Sequence, residues 1–171
     1  DCMADPLIPA FFNKVQTDEI LPYVDAVEGI TPQDYLSLIE TRFANPKIRD
    51  TTRRVAFDGS SRHPGFIVPS IRDGLAGGVP VSGLALATAL WAHYCAGVRE
   101  NGTLIAPNDP HWDVLQAVAI EAKTNPVAWL DMRHVYGDLA DNADFVAQFG
   151  AWLSAINTGG VAYALNLYLE A

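Results

Sequence analysis

The sequence has few basic residues and few cysteines. It has 11 lysines and arginines against 20 aspartates and glutamates, which gives a net charge of -9. Nucleic acids and anionic membrane surfaces both select a basic footprint, so this balance argues against either partner. Two cysteines in 171 residues are too few for a disulfide framework. They indicate reduced thiols in a cytoplasmic protein.

One long segment lacks charge altogether. Residues 74–98 contain no Asp, Glu, Lys or Arg, and a run of that length is long enough to cross a bilayer. The segment is nevertheless rich in alanine and glycine rather than in the large aliphatic residues of a membrane span. It therefore predicts a central helix that is buried on all sides, running from about Pro80 to Val98.

The apolar residues recur at helical spacing, and no segment alternates as a strand does. Pairs of a capping residue and a proline mark several helix starts, because the cap satisfies a free N–H and proline fits the first turn. We expect one all-α domain that spans residues 1–171. The predicted helices include one after Thr31 that buries Tyr35, Leu36, Ile39 and Phe43, one from Asn45-Pro46 through Ala56, one after Asn125-Pro126, and a final pair at about 143–156 and 161–169.

Motifs that would complete a catalytic site are missing. The sequence has no G-x-G-x-x-G or P-loop pattern, no C-x-x-C, no H-E-x-x-H and no G-x-S-x-G. Asp109, His111 and Asp113 resemble a metal cluster, but a helix cap and first turn explain the two carboxylates more simply. We therefore expect no metal site and no catalytic residue in this chain.

The most informative segment is 45–73, which holds five of the positive charges between Arg49 and Arg72. Arg54 has two interpretations: an ion pair with Asp50 one helical turn away, or a ligand contact that it shares with Arg62 across the Asp58-Gly59 turn. The residue pattern does not decide between them. The candidate ligand-binding residues are Arg54 and Arg62, with weaker candidates at Asp58, Ser60 and Ser61.

Several distinctive stretches follow one another along nearly the whole chain. They are RFANP at 42–46, RVAFDGSS at 54–61, FIVP at 66–69, GLAL at 83–86, ALW at 89–91 and APNDP at 106–110. In this order they resemble the polyol-specific long-chain dehydrogenase family, which includes mannitol and arabinitol dehydrogenases and the fructuronate and tagaturonate reductases.

The resemblance implies that cofactor binding and substrate binding lie in different domains. Members of the family carry an N-terminal dinucleotide-binding domain for NAD, and they use a K-x4-N-x2-H motif without a metal. None of the lysines here is followed by that spacing, so the chain is expected to be the C-terminal, substrate-side part, inactive alone. The resemblance assigns substrate contacts to Arg54 and Arg62. At position 62 the family commonly has lysine, so a planar fork replaces a point charge here.

Two alternatives to a mannitol-type polyol dehydrogenase stay open at this point. A hexuronate reductase would use the same two cations to clamp a carboxylate. A helical binding module without enzymatic function would expose aromatic residues such as Phe11, Phe12, Tyr163 and Tyr168, whereas burial of these residues favours an ordinary core. The DGSS and FIVP stretches resemble the mannitol branch more closely.

Overall fold

The computed structural model describes residues 2–25, 28–45, 47–48 and 51–171. Over these residues the regular structure is helical, apart from an isolated antiparallel bridge between Val98 and Leu104. The predicted all-α class is confirmed. The α-helices are α1 (Leu7–Val15), α2 (Pro32–Phe43), α3 (Thr52–Val55), α4 (Gly59–Arg62), α5 (Val68–Gly77), α6 (Ser82–Cys95), α7 (Trp112–Ala122), α8 (Val127–Leu130), α9 (Arg133–Tyr136), α10 (Ala143–Gly159) and α11 (Val161–Glu170), and π-helical segments occupy Gln16–Ile20 and His63–Ile67.

The uncharged segment forms the centre of the fold, as the sequence predicts. Helix α6 packs against α10, α7, α1 and α11, and Leu84, Leu86 and Ala89 on it are almost completely buried. It is shorter at both ends than the pattern suggested, since it begins at Ser82 and ends at Cys95. Among the described helices, none combines the length and the hydropathy of a candidate membrane span.

A buried carboxylate, that of Glu19, caps the N-terminus of this central helix. Glu19 accepts hydrogen bonds from the backbone N–H groups of Gly83 at 2.6 Å and Leu84 at 2.9 Å, and from the Tyr168 hydroxyl at 2.9 Å. The contact satisfies free N–H groups at the helix start and joins the N-terminal segment, α6 and α11. Burial raises the pKa of Glu19, and these hydrogen bonds offset the increase only in part.

The helix predicted from Asn45-Pro46 through Ala56 is wrong at its start. Helix α3 begins only at Thr52, and Thr51 caps it by accepting from the N–H of Arg54. Asn45 instead accepts from the backbone N–H of Lys47 at 3.0 Å, which closes a local turn and competes with helix formation. Pro46 lies outside the described residues.

Helix α2 begins where predicted, because Thr31 accepts from the N–H of Asp34. However, only part of the apolar stripe on α2 is packed against the rest of the domain. Leu36 is buried, while Tyr35 and Phe43 are 54% and 52% exposed, contrary to the prediction. Phe43 meets Phe12 of α1 edge to face at 6.4 Å, so one narrow side of α2 carries the packing.

Candidate functional site

The candidate site begins at α3, a single helical turn with two adjacent arginines. Arg53 is committed to the fold, because its guanidinium donates to the carbonyl oxygens of Ala106 at 2.9 Å and Pro107 at 2.5 Å. Arg54 leaves the same turn, and its side chain is exposed. The two arginines therefore differ in role: Arg53 fixes the position of α3 and Arg54 faces the surface.

A left-handed residue turns the chain between α3 and α4. Asp58 has φ 60° and ψ 43°, and within the described ranges it is the one non-glycine residue with positive φ. Asp enters this region more readily than most residues because its short side chain bonds locally. Gly59 follows directly against Trp91, where a Cβ atom would lie 2.5 Å from the indole Nε1. The Asp-Gly pair thus meets one conformational and one steric requirement.

Helix α4 is anchored from a distant loop by Asp109. Its Oδ2 accepts from the backbone N–H of Ser60 at 2.9 Å, and its Oδ1 accepts from the Ser60 hydroxyl at 2.7 Å. Negative charge at the start of a helix is favourable. The N-terminus of α4 therefore already has an acceptor from the protein. Ser60, which is only 8% exposed, supports the turn from inside.

The same carboxylate has a further internal partner. Asp109 Oδ1 also accepts from the backbone N–H of His111 at 2.9 Å, which shapes the approach to α7, and Asp113 lies in the first turn of that helix. Within the described residues, no group of three or more His, Cys, Asp and Glu is arranged to hold a metal ion. These hydrogen bonds explain Asp109 as a structural residue that holds the start of α4 and the approach to α7.

Arg62 ends α4, and its guanidinium turns back towards α3. Its Nη1 donates to the carbonyl oxygen of Val55 at 3.1 Å, on the residue directly after Arg54. Cationic side chains suit the last carbonyls of a helix, which have no partner inside it. In the part of the chain that is described, Arg62 has no carboxylate partner. The alternative ion pair of Arg54 with Asp50, which the residue pattern left open, is not tested, because Asp50 lies outside the described residues.

Asn108 ties α3 to the bend that follows it. Its side-chain Nδ2 donates to the carbonyl oxygen of Arg53 at 2.8 Å, and its own carbonyl accepts from the N–H of Asp58 at 3.3 Å. The residue is only 6% exposed, so water competes little for these bonds. The side-chain amide and the backbone carbonyl of Asn108 thus hold α3 and the residue before α4, respectively.

An aromatic cluster fixes the residue after Arg62. The His63 ring stacks on Trp91 with centroids 3.9 Å apart, and Trp91 meets Trp129 edge to face at 5.0 Å. Burial lowers the pKa of His63 to about 3, so the imidazole is neutral near pH 7. Its Nδ1 has no hydrogen-bond partner among the residues described. The C-terminal end of α4 is therefore anchored by apolar packing.

Exposed apolar side chains flank the two arginines in sequence. Val55 and Phe57 are 40% and 47% exposed, and Phe66 is 71% exposed. Apolar surface beside a few fixed polar donors is typical of a binding site. Of the weaker candidates, Ser61 is exposed, Asp58 is partly buried and Ser60 is buried.

The chain matches one family over most of its length. The family model for the mannitol dehydrogenase C-terminal domain matches residues 1–157. Mannitol 2-dehydrogenase of Cereibacter sphaeroides is 51% identical over 169 residues, which cover 99% of this chain and 35% of that protein. Mannitol 2-dehydrogenase of Phaeosphaeria nodorum is 30% identical over 98% of this chain and 29% of its own length. The chain thus spans about a third of the relatives that it matches.

Solved structures share the fold. Pseudomonas fluorescens mannitol 2-dehydrogenase, in a ternary complex with NAD and D-mannitol, has a TM-score of 0.93 at 31% identity, over 98% of this chain and 34% of that one. A substrate-free D-sorbitol dehydrogenase has a TM-score of 0.84 at 20% identity, over 95% and 34% of the two chains. At that lower identity the likeness concerns the fold alone.

Proposed function

The chain belongs to the family of mannitol dehydrogenase C-terminal domains, and we propose that it is the substrate-side part of an NAD-dependent polyol dehydrogenase. In this proposal residues 1–171 form one helical domain, and the intact protein interconverts a mannitol-type sugar alcohol and a ketose. The support is the similarity to mannitol 2-dehydrogenases, one of which was solved with NAD and D-mannitol.

The cofactor and the proton-transfer groups are proposed to lie outside this chain. The sequence has neither G-x-G-x-x-G nor K-x4-N-x2-H, and the described residues form no sheet to carry a dinucleotide-binding loop. An N-terminal dinucleotide-binding domain of the intact protein is expected to supply both, and this chain alone is expected to be inactive. A cytoplasmic location is proposed along with this role, and the buried free thiol of Cys95 is compatible with a reducing compartment.

This chain is proposed to hold the substrate. The bond from Arg62 to Val55 draws its guanidinium towards the residue beside Arg54, and the two guanidinium groups are proposed to contact one sugar chain. A hydrogen bond from a charged donor contributes about 1.5–3 kcal/mol. NAD bound by the N-terminal domain would supply hydride acceptance from the polyol carbon, and the hydroxyl proton would pass to the proton-transfer groups outside this chain. Arg54 and Arg62 are proposed to fix the hydroxyl groups so that this carbon is correctly placed.

The three weaker candidates have different proposed parts. Asp58 and Ser61 lie on the bend between the two arginines and are proposed to contact substrate hydroxyls at the edge of the site. The hydroxyl of Ser60 is occupied by Asp109, so Ser60 is proposed to act through its backbone, by holding α4. The binding contacts are therefore assigned mainly to Arg54 and Arg62.

Neither alternative receives comparable support. The relatives at 51% and 30% identity are mannitol dehydrogenases, which does not favour a hexuronate substrate. For a purely binding module, the aromatic residues give no consistent signal: Tyr168 is 4% exposed, Tyr163 is 49% exposed, and Phe11 and Phe12 are partly buried. The polyol dehydrogenase is therefore the proposal that the similarities support best.

Steady-state assays of the intact protein test it. NADH formation from D-mannitol and NAD should be readily measured and should persist in a chelator, since no metal is expected to take part. Residues 1–171 assayed alone should show no turnover. Turnover of fructuronate with NADH but not of D-mannitol or fructose would replace the polyol with a hexuronate, and absence of turnover with all of them would favour the binding module.

A further inference from the structure

The two proposed substrate contacts, Arg54 and Arg62, lie on helices that are too short to be stable on their own. Helices α3 and α4 have four residues each, and an isolated helix of that length is unstable in water. The relative positions of Arg54 and Arg62 must therefore be imposed from elsewhere in the fold. Besides Arg53 and the stacking of His63 on Trp91, the contacts that impose them come from two consecutive residues of the loop before α7.

Asn108 holds the first helix. Its Nδ2 donates to the carbonyl oxygen of Arg53, and its carbonyl accepts from the N–H of Asp58. The first bond fixes the backbone of Arg53, which is next to the exposed Arg54, and the second fixes the backbone of Asp58 in the bend. A shift of Asn108 would therefore displace Arg54 and the turn together.

Asp109 holds the second helix. It accepts from both the N–H and the hydroxyl of Ser60 at 2.9 and 2.7 Å, two residues before Arg62. The N–H of Arg62 in turn donates to the carbonyl of Asp58 at 3.2 Å. The carboxylate thus fixes the start of the single turn that ends at Arg62.

We propose that Asn108 and Asp109 are positioning residues, which together set the spacing and direction of Arg54 and Arg62 and thereby the fit of the polyol. The inference rests on the proposed function and assigns a role to Asp109, whose place in the sequence indicated a helix cap, and to its neighbour Asn108. Neither residue is proposed to touch the substrate, because the Nδ2 of Asn108 and both carboxylate oxygens of Asp109 already bind groups of the protein.

The test uses the intact protein and compares Asp109→Asn with Asp113→Asn. The first change preserves the shape but replaces one acceptor oxygen with a donor that faces Ser60; the second removes the same charge from an exposed residue of α7. Asp109→Asn should lower kcat/KM for D-mannitol about tenfold, because small displacements of a binding group cost that much or more. The KM for NAD should stay within about twofold, and Asp113→Asn should match wild type.

A double-mutant cycle separates positioning from general loosening. If Asp109 acts through the arginine, Asp109→Asn should change kcat/KM for D-mannitol less than about twofold when Arg62→Ala is already present. The milder Ser60→Ala, which removes one of the two bonds to Asp109, should give an intermediate loss of about threefold and serves if Asp109→Asn does not fold.

Two results would overturn the inference while leaving the proposed function intact. One is wild-type kcat/KM for D-mannitol in both Asp109→Asn and Ser60→Ala. The other is an equal fold loss with and without Arg62→Ala, which would show that Asp109 acts independently of the arginine. A wild-type protein that does not turn over polyols would instead refute the proposed function itself, before any variant is compared.

Discussion

The guanidinium of Arg62 donates a hydrogen bond to the carbonyl oxygen of Val55 at 3.1 Å. This contact closes the bend that separates two arginines eight positions apart and brings the Arg62 side chain back to the helix that carries Arg54. A guanidinium has five N–H donors, so one bond to the backbone leaves donors for a ligand. The contact links the local fold of this segment to its proposed role.

Substitution of Arg62 should separate charge from geometry. Arg62→Lys keeps a positive charge but cannot both donate to Val55 and present a planar fork, so kcat/KM for D-mannitol should fall less than about tenfold. Arg62→Ala should lower kcat/KM for D-mannitol further, by roughly ten- to a hundredfold. Steady-state kinetics of the two variants in the intact protein provide the measurement. Equal losses for lysine and alanine would show that the charge is not what binds the polyol.

A pair of glycines tests the close approach at the bend. A Cβ atom on Gly59 would meet the Trp91 indole at 2.5 Å, whereas nothing lies within 4 Å of a Cβ on Gly65. Gly59→Ala should therefore lower the free energy of unfolding by about 1–3 kcal/mol through overpacking. Gly65→Ala should be neutral or stabilising by up to about 1 kcal/mol. Denaturant unfolding measures both, and an unchanged midpoint for Gly59→Ala would argue against the contact with Trp91.

Buried His63 predicts a specific loss of stability in acid. Its pKa is lowered to about 3 by burial, against an ordinary value of 6.5, so unfolding takes up a proton as the pH falls below 6.5. The stability that it contributes is complete above that pH and is lost progressively down to the folded pKa. Between about pH 7 and pH 5 the expected loss is about 2 kcal/mol.

His63→Phe is the control for this effect, because phenylalanine can keep the stacking on Trp91 but does not titrate. The difference in unfolding free energy between wild type and His63→Phe should shift by about 2 kcal/mol over that pH range. Urea titrations at the two pH values give this difference. Parallel pH dependence of the two proteins would show that His63 is protonated as easily in the folded state as in the unfolded state.

Glu19 should behave in the opposite sense. Burial raises its pKa above 4.5, so the proton is held more tightly in the folded state. The stability linked to this group is therefore present at low pH and lost as the pH rises through the folded pKa. The advantage of wild type over Glu19→Gln should shrink as the pH is raised above 4.5, and an advantage that grows with pH would contradict the raised pKa.

Removal of the carboxylate should be costly whatever the pH. Glu19→Ala leaves the N–H groups of Gly83 and Leu84 and the Tyr168 hydroxyl without their acceptor, which should cost roughly 2–4 kcal/mol. Its neighbour Asp18 forms an exposed ion pair with Lys14, and Asp18→Ala should cost less than about 1 kcal/mol. Chemical denaturation of the two variants tests the contrast, and equal losses would mean that the cap of α6 does not depend on Glu19.

The fold class and the central helix were predictable from the sequence because they depend on repeated local signals. Helical spacing of apolar residues and the absence of charge over residues 74–98 both indicate burial, and α6 is buried. The start of α3 was not predictable in this way. Asn45 and Thr51 are both good capping residues, and only the structure shows that Asn45 closes a turn while Thr51 caps the helix.

The candidate site was predictable only in its arginines. Arg54 and Arg62 stand out as positive charges around an Asp-Gly turn, and the family resemblance supports them. The supporting contacts of Asn108 and Asp109 join positions 49 to 55 residues apart, which no local pattern encodes. Asn108 and Asp109, the adjacent polar residues of the APNDP stretch, could have indicated these contacts, but a helix cap was the simplest explanation of their position. Trp91 was likewise not singled out beyond the ALW stretch, although it contacts both Gly59 and His63.

The central claim is that Arg54 and Arg62 bind the same polyol, and alanine substitution of each arginine in the intact protein tests it most directly. Initial rates with D-mannitol and NAD should show kcat/KM for D-mannitol reduced roughly ten- to a hundredfold in each variant, with the KM for NAD within about twofold of wild type. A wild-type kcat/KM for D-mannitol in either Arg54→Ala or Arg62→Ala would contradict the claim.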